Sequence, residues 1–320
     1  MASPRYAPYR KAWLRDGSFC AIALDRYGEH ERAESFHRWV VRVVESERPL
    51  SRERFLRARY PLSYPDVPAD YDPWGEYQLD GPALWLVALE EHLAVSRRGI
   101  EPYREAAIAV GRYLEALGAF PCFDCWEERG GDTHGSTLAA IAGGMRAVVS
   151  LGLEEFARAA EVARDRLLAL GSDGKTLVKL RGSSEVDASL VWSSVPCQAI
   201  RPEDPLMRRT VARVRAELNQ GRTRYRGDAY FGGGEWLLLA GLDGWHAVAD
   251  GEPSRAMEQL AWIEAHADPD GALPEQVAEH LQRPEERERW TREFGAPARP
   301  LLWSHAMYLI LRQALADGLD

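Results

Sequence analysis

Lysine is scarce in this sequence, which has only Lys11, Lys175 and Lys179 among its 320 residues. Acidic residues outnumber basic ones, 49 to 40, so the formal net charge is −9 at pH 7. A protein that binds a phosphate backbone needs a basic stripe to neutralise it, and none is present here. The composition therefore excludes a nucleic acid as the expected partner.

Cysteine is also scarce. The four residues Cys20, Cys122, Cys125 and Cys197 are too few for a disulfide framework in a chain of this length. The pair Cys122-x-x-Cys125 resembles half of a zinc or redox site, but neither a second pair nor His-x-x-x-His follows it. We therefore predict no metal site, and the simplest expectation is a cytoplasmic protein with reduced thiols.

Long apolar runs are missing as well. The N-terminal Met-Ala-Ser-Pro-Arg-Tyr lacks the apolar segment of a signal peptide, and no run approaches the length that crosses a bilayer. We expect a soluble protein without a membrane partner. No convincing alternation of apolar and polar residues indicates strands.

Helical periodicity dominates what is present. We count about eleven helices, most of them in pairs separated by Gly, Pro or short polar segments. They are predicted near 16–28, 29–45, 82–97, 101–117, 135–151, 153–170, 185–194, 204–219, 235–248, 253–267 and 301–316. No fixed-period repeat supports a solenoid, so we predict an all-α, closed α/α toroid in which residues 1–320 form a single domain. The Pro-rich loop 49–73 is long enough to be functional.

The segment Phe123–Arg129 places two adjacent carboxylates, Glu127 and Glu128, after a tryptophan. Adjacent helical residues diverge by about 100°, so these two side chains would have separate tasks. One could face a substrate while the other pairs with a cation. Carboxylates beside an indole suggest a carbohydrate ligand. The alternative is an exposed helix start whose acidic residues complement the helix dipole.

Glycoside hydrolysis needs two carboxyl groups, one that protonates the leaving oxygen and one that activates water or attacks directly. Glu127 and Glu275 are the candidates, and they come from segments 148 residues apart (275 − 127). The Gly-rich segment 231–236 lacks the Lys-Ser/Thr of a phosphate-binding loop. The chemistry-bearing segments all fall in long loops or at predicted helix starts, which a toroid would bring into one funnel.

Taken together, these segments resemble the catalytic domain of glycoside hydrolase family 15, the glucoamylases and their relatives. The similarity runs in order along nearly the whole chain and rests on six motifs. They are Tyr9-x-x-x-Trp13-x-Arg15-Asp16, Trp74-x-x-x-Gln78-x-Asp80-Gly81-Pro82-Ala83, Phe123-Asp124-x-Trp126-Glu127-Glu128, Arg224-Tyr225 with Asp228-x-Tyr230-x-Gly232-Gly233, Pro274-Glu275-Gln276, and Trp303-Ser304.

The resemblance implies an (α/α)6 barrel and single-step inversion that releases β-glucose from the non-reducing end of α-glucosides. It also implies that no metal or organic cofactor is needed. Glu127 would be the general acid and Glu275 the general base. Glu128 would pair with Arg224 beside the second sugar.

The same resemblance implies which side chains hold the terminal glucose. Arg15 and Asp16 would grip its hydroxyl groups, and Tyr9 and Trp303 would lie against its ring. The remaining substrate-binding candidates are Trp13, Trp74, Gln78, Asp124 and Trp126.

Two departures from the family set further expectations. The barrel has twelve helices, about eleven are predicted here, and only eight residues precede Tyr9. We expect that the first helix is lacking, because the chain begins downstream of the natural start or because a neighbouring subunit of a homo-oligomer covers the gap. No starch-binding module is visible, so short, soluble gluco-oligosaccharides are the expected substrates.

The linkage stays open between α-1,4 and α-1,6, with isomaltose or small malto-oligosaccharides favoured. Loops such as 49–73 and 174–184 would decide it. The alternatives are a trehalose hydrolase, a phosphorylase, which would need an anion site instead of a water base, and a non-catalytic sugar-binding barrel. The presence of both Glu127 and Glu275 argues against the last two.

Overall fold

Helices carry most of the chain in the computed structural model, which describes residues 1–50, 55–67 and 74–318. Eleven α-helices fall within these residues. They are α1 (Leu14–Arg26), α2 (His30–Glu47), α3 (Asp80–Ser96), α4 (Arg104–Leu117), α5 (Gly135–Ser150), α6 (Ala157–Leu170), α7 (Pro205–Glu217), α8 (Leu237–Ala249), α9 (Pro253–Ala265), α10 (Pro284–Phe294) and α11 (Leu302–Asp317). The predicted loop 49–73 is only partly included, because residues 51–54 and 68–73 lie outside the described residues.

Six inner segments pack side by side and close into a ring. Each contacts the next in the order α1, α3, α5, the 3-10 helix Ala188–Ser193, α8 and α11, and α11 returns to α1. Ten consecutive residues of α3, from Asp80 to Leu89, are buried, as expected of a helix that is surrounded on all sides. Close approach is visible between α5 and α3, where a Cβ added to Gly144 would lie 2.7 Å from the Ala83 carbonyl oxygen.

Outer helices cover this ring. In the described part of the chain α2, α4, α6, α7 and α9 pack against the outside of the inner segments, while α10 lies against the 3-10 turn Tyr230–Gly232. The outer helices are amphipathic, and α2 buries Ala33, His37, Val40 and Val44 on one face. The predicted all-α toroid is confirmed.

Two helices differ from the prediction. The segment predicted as a helix at 185–194 is the 3-10 helix Ala188–Ser193, capped by the Asp187 carboxylate, which accepts from the Ser189 amide. Helix α10 was missed because it is strongly polar and buries none of its residues, so it has no apolar stripe to find.

Four very short strands accompany the helices in the described part of the chain. Strand β1 (Lys11–Trp13) pairs antiparallel with β2 (Arg59–Pro61), and β3 (Glu235–Trp236) pairs with β4 (Gln276–Val277). Strand β1 directly precedes α1, and β3 directly precedes α8. The two ladders therefore hold the backbone at the N-terminal ends of these inner helices. No described helix combines the length and the apolarity needed to cross a membrane.

Candidate active site

A cavity of about 580 Å³ opens at the N-terminal ends of the inner helices. Eleven of the thirteen predicted site residues line it: Tyr9, Trp13, Arg15, Asp16, Trp74, Trp126, Glu127, Glu128, Arg224, Glu275 and Trp303. They come from segments that span most of the chain. The predicted funnel therefore exists, and the helical ring is what brings its residues together.

Gln78 and Asp124 lie behind the cavity wall instead. The Gln78 side-chain oxygen accepts from Arg15 Nη1 at 2.7 Å. One oxygen of Asp124 accepts from the backbone N–H groups of Trp126 (3.0 Å) and Glu128 (2.9 Å), which ties together the turn that carries both glutamates. These two residues position wall residues rather than line the cavity themselves.

Glu127 is held through both carboxylate oxygens. Trp13 Nε1 donates to Oε1 at 2.5 Å, and Arg59 Nη1 lies 3.4 Å from Oε2. Arg15 Nη2 is 3.8 Å from Oε1. The backbone of Glu127 is left-handed, with φ of 65°, a conformation that non-glycine residues rarely adopt. This strain is typical of a side chain whose direction is fixed by function.

The two groups that hold Glu127 are direct partners in one ladder. Trp13 of β1 is in register with Arg59 of β2, and the Arg59 guanidinium lies 5.7 Å from the Trp13 ring centroid. Arg59 is 4% exposed and also donates to the Trp74 carbonyl at 3.1 Å. Arg59 was not among the predicted site residues, because its role depends on the pairing of β2 with β1.

Glu275 is almost completely buried, with 2% of its surface exposed. Tyr9 donates to its Oε1 at 2.8 Å, and the Tyr9 hydroxyl is 2.7 Å from that of Tyr230. Its other oxygen, Oε2, is buried and accepts no hydrogen bond from any described residue. Burial raises the pKa of Glu275 from 4.5 to about 7, while the Tyr9 hydrogen bond opposes this rise. A carboxyl with a pKa near neutrality and one free oxygen can accept a proton.

Glu128 belongs to a separate charged cluster. Arg224 Nη2 donates to its Oε1 at 3.1 Å, and the Tyr225 hydroxyl donates to its Oε2. Arg224 is itself 2% exposed and makes two hydrogen bonds to Asp228, at 2.7 and 2.5 Å. Glu128 is thus paired with Arg224, whereas Glu127 is held by other groups, so the two adjacent carboxylates have different tasks.

Arg15 and Asp16 start helix α1 at the bottom of the cavity. Arg15 pairs with Asp80 at 3.0 Å and lies 5.4 Å from the Trp303 ring centroid, while its Nε is 3.7 Å from the Asp16 carboxylate. Burial raises the pKa of Asp16 to about 6, with Arg15 opposing the rise. Charged donors and acceptors beside an indole suit the hydroxyl groups and the C–H face of one sugar.

Helix α10, which the sequence did not predict, forms part of the rim of the cavity. Its Arg289, Trp290 and Phe294 line the cavity, and the Trp290 ring makes an edge contact with Tyr230 at a centroid distance of 4.9 Å. Cys125, one half of the Cys122-x-x-Cys125 pair, also lines the cavity. Trp290 and Phe294 add apolar surface beyond the charged floor.

A helical toroid that opens at one end onto buried glutamates, arginines and a wall of aromatic rings has the features of a glycoside hydrolase. The sequence profile of glycosyl hydrolases family 15 matches residues 1–240, and the chain belongs to this family. The resemblance predicted from the motifs is confirmed, and the protein is a glycoside hydrolase.

Three relatives show how far the similarity extends. An isomaltose glucohydrolase of Kribbella flavida is 38% identical over 339 residues, with 98% of this chain and 87% of that protein covered. A glycosidase variant solved in complex with glucose superposes with a TM-score of 0.91 at 36% identity, covering 98% of this chain and 91% of that one. A glucoamylase of Hormoconis resinae shares the fold, with a TM-score of 0.72 at 16% identity over 99% and 68% of the two chains.

Proposed function

We propose that this glycoside hydrolase is an inverting exo-glucohydrolase that releases β-glucose from the non-reducing end of short α-linked gluco-oligosaccharides, with isomaltose as its preferred substrate. The observation that carries the choice of isomaltose is the 38% identity to an isomaltose glucohydrolase over 98% of this chain. No observation favours trehalose. Glu127 and Glu275 both line the cavity, which supports catalysis over sugar binding alone.

The terminal glucose binds against the floor of the cavity. Arg15 and Asp16 bond to its hydroxyl groups, and Trp303 lies along its ring. Because Arg15 is already held by Asp80 and Gln78, its guanidinium is fixed before substrate arrives. A preorganised floor for one sugar supports exo action, since a chain can enter only by its end.

Glu127 is the general acid that protonates the glycosidic oxygen. When the proton leaves, the new carboxylate is stabilised by the Trp13 N–H and by the Arg59 guanidinium, which already contact its two oxygens. Arg59 acts through Glu127 and is therefore a positioning residue. Glu128, held by Arg224 and Tyr225, borders the second sugar.

Glu275 is the general base. Its unbonded Oε2 accepts a proton from the water that attacks the anomeric carbon, while Tyr9 holds Oε1. The raised pKa makes this carboxylate a stronger base than an exposed glutamate. Attack by water opposite the leaving group inverts the anomeric centre in one step.

Early product analysis tests the reaction. The wild-type protein is incubated with isomaltose, maltose, trehalose and a short dextrin, and the anomers are followed by proton NMR before mutarotation. We expect β-glucose, released fastest from isomaltose. Early α-glucose would refute inversion, and faster hydrolysis of maltose would refute the linkage.

Matched variants test the residue roles. Glu127→Gln and Glu275→Gln should each lower kcat on isomaltose by at least about 100-fold, because each removes a proton-transfer group. Glu161→Gln, which changes an exposed glutamate on α6, is the control and should keep wild-type turnover. Near-native turnover of either site variant would refute its assigned role.

The organisation of the protein follows the same proposal. The chain acts as one catalytic unit over residues 1–320, supported by the packing of α11 on α1 and by the place of Trp303 in the cavity wall. A cytoplasmic location is supported by the four cysteines, all of which are free thiols. A homo-oligomer stays a prediction that light scattering of the purified protein would test.

A further inference from the structure

Two imidazoles and a carboxylate form a buried group far from the cavity. Asp25 and His92 lie near the C-terminal ends of α1 and α3, whose N-terminal ends carry the cavity floor, and His37 lies on α2. The side chains of Asp25, His37 and His92 are all completely buried. The glycosidase mechanism uses none of them.

The geometry of this group is compact. One ligand atom from each residue lies within 4.8 Å of the others, and the two imidazole centroids are 4.7 Å apart. Asp25 accepts from His92 Nδ1 at 3.0 Å and from His30 Nδ1 at 2.9 Å. His30 is about one-third exposed, so it connects the group to solvent.

The polar atoms of the group are poorly satisfied. Both ring nitrogens of His37 and Nε2 of His92 are buried without a hydrogen-bond partner among the described residues. Among the described residues, the Asp25 carboxylate pairs with histidines and with neither arginine nor lysine. A buried carboxylate without a full positive charge and buried nitrogens without partners are both costly. A bound cation would supply the missing positive charge and a partner for one nitrogen of each ring.

We propose that Asp25, His37 and His92 bind a divalent transition-metal ion, with Zn²⁺ the best match. Two imidazole nitrogens and one carboxylate oxygen are a common donor set for Zn²⁺, and His30 or water can complete a tetrahedron. Metal–ligand distances are about 2.0–2.2 Å, so the three donor atoms move closer together when the ion binds.

The ion ties α1, α2 and α3 together at the closed end of the ring. Its role is structural, because the cavity lies at the opposite ends of α1 and α3. The sequence predicted no metal site, since positions 25, 37 and 92 form no motif and only the packing of three helices brings them together.

Metal binding to the full-length protein tests the proposal. Protein without an affinity tag is stripped with a chelator, dialysed, and titrated with Zn²⁺ in a calorimeter, and bound metal is measured by elemental analysis. We expect about one Zn²⁺ per chain and a thermal unfolding midpoint that rises with Zn²⁺ concentration. Co²⁺ should give the visible absorption of a tetrahedral site. Protein that binds no Zn²⁺ would overturn the proposal.

Matched variants locate the ion. His37→Leu fills a similar volume without a ligand and should abolish the Zn²⁺-dependent rise, and Asp25→Asn provides the same test if that variant does not fold. His246→Asn changes a buried histidine that is bonded to Ser194, and it should keep the response. His280→Ala removes one ligand from the partly exposed group Glu235, Glu279 and His280, the other arrangement in the described residues that could hold a metal. Loss of binding in His280→Ala, or an unchanged response in His37→Leu, would refute the assigned ligands.

Discussion

Glu275→Gln should make the stability of the folded protein less sensitive to alkaline pH while it removes the proposed base. The pKa of this buried carboxyl is raised by burial from 4.5 to about 7. Between these values the folded protein holds a proton that the unfolded chain has lost, so stability falls as pH rises through the window. At 1.36 kcal/mol per pKa unit, the shift corresponds to a loss of about 3 kcal/mol in the free energy of unfolding, and this loss is complete only above pH 7.

Denaturant unfolding at pH 5 and pH 8 measures the effect. Because glutamine does not titrate, the unfolding free energy of the variant minus that of the wild type should increase by about 2–3 kcal/mol from pH 5 to pH 8. The amide oxygen can still accept from Tyr9. The amide nitrogen, which replaces the unbonded Oε2, adds a cost that does not depend on pH. The change with pH is therefore the quantity to compare.

Glu161→Gln is again the control, since this exposed carboxyl should give the same difference from wild type at both pH values. An equal stability difference at pH 5 and pH 8 in Glu275→Gln would refute the reasoning. It would mean that the carboxyl ionises in the folded protein as easily as in water.

Three further predictions concern the reaction. Tyr9→Phe removes a hydrogen-bond donor that lowers the pKa of Glu275, so the acidic limb of the pH profile of kcat/KM should move to higher pH by about one unit. Tyr230→Phe keeps the Tyr9 donor and should leave the acidic limb in place. Arg59→Met should lower kcat on isomaltose by about 10- to 100-fold with little change in KM. Arg59→Lys should recover part of the lost kcat. A change in KM alone would contradict a positioning role. Glu127→Gln should hydrolyse α-glucosyl fluoride, whose leaving group needs no proton, far better than isomaltose, whereas Glu275→Gln should be slow on both, as glucose release would show.

Much of the fold was predictable because the helices carry their own signals. The apolar spacing in α2, with Ala33, Val40 and Val44 on one face, is a local pattern that indicates a helix with one buried side. The closed ring followed from the pairing of such helices and from the motif order. The segment at 185–194 was harder, because six residues of 3-10 helix carry too few turns to separate from α-helix by pattern.

The candidate site was predictable where residues sit within motifs and not where pairing places them. Glu127 and Glu275 are in motifs, and both line the cavity. Arg59 reaches Glu127 only because β2 pairs in register with β1, and a three-residue strand in a Pro-rich loop gives no usable signal. Gln78 and Asp124 are in motifs as well, but the motif does not distinguish a residue in the wall from one that supports it.

The cavity joins the beginning of the chain to its end. The Ala2 carbonyl accepts from the Leu302 amide at 2.9 Å, and Tyr9 holds a carboxylate 266 residues further on. Contacts between such distant residues cost loop-closure entropy, so we expect them to form late, after the intervening chain is ordered. During refolding, helical circular dichroism should therefore recover before hydrolytic turnover does. Enzymatic activity can thus serve as a kinetic probe for the last step of assembly, in which α11 meets α1.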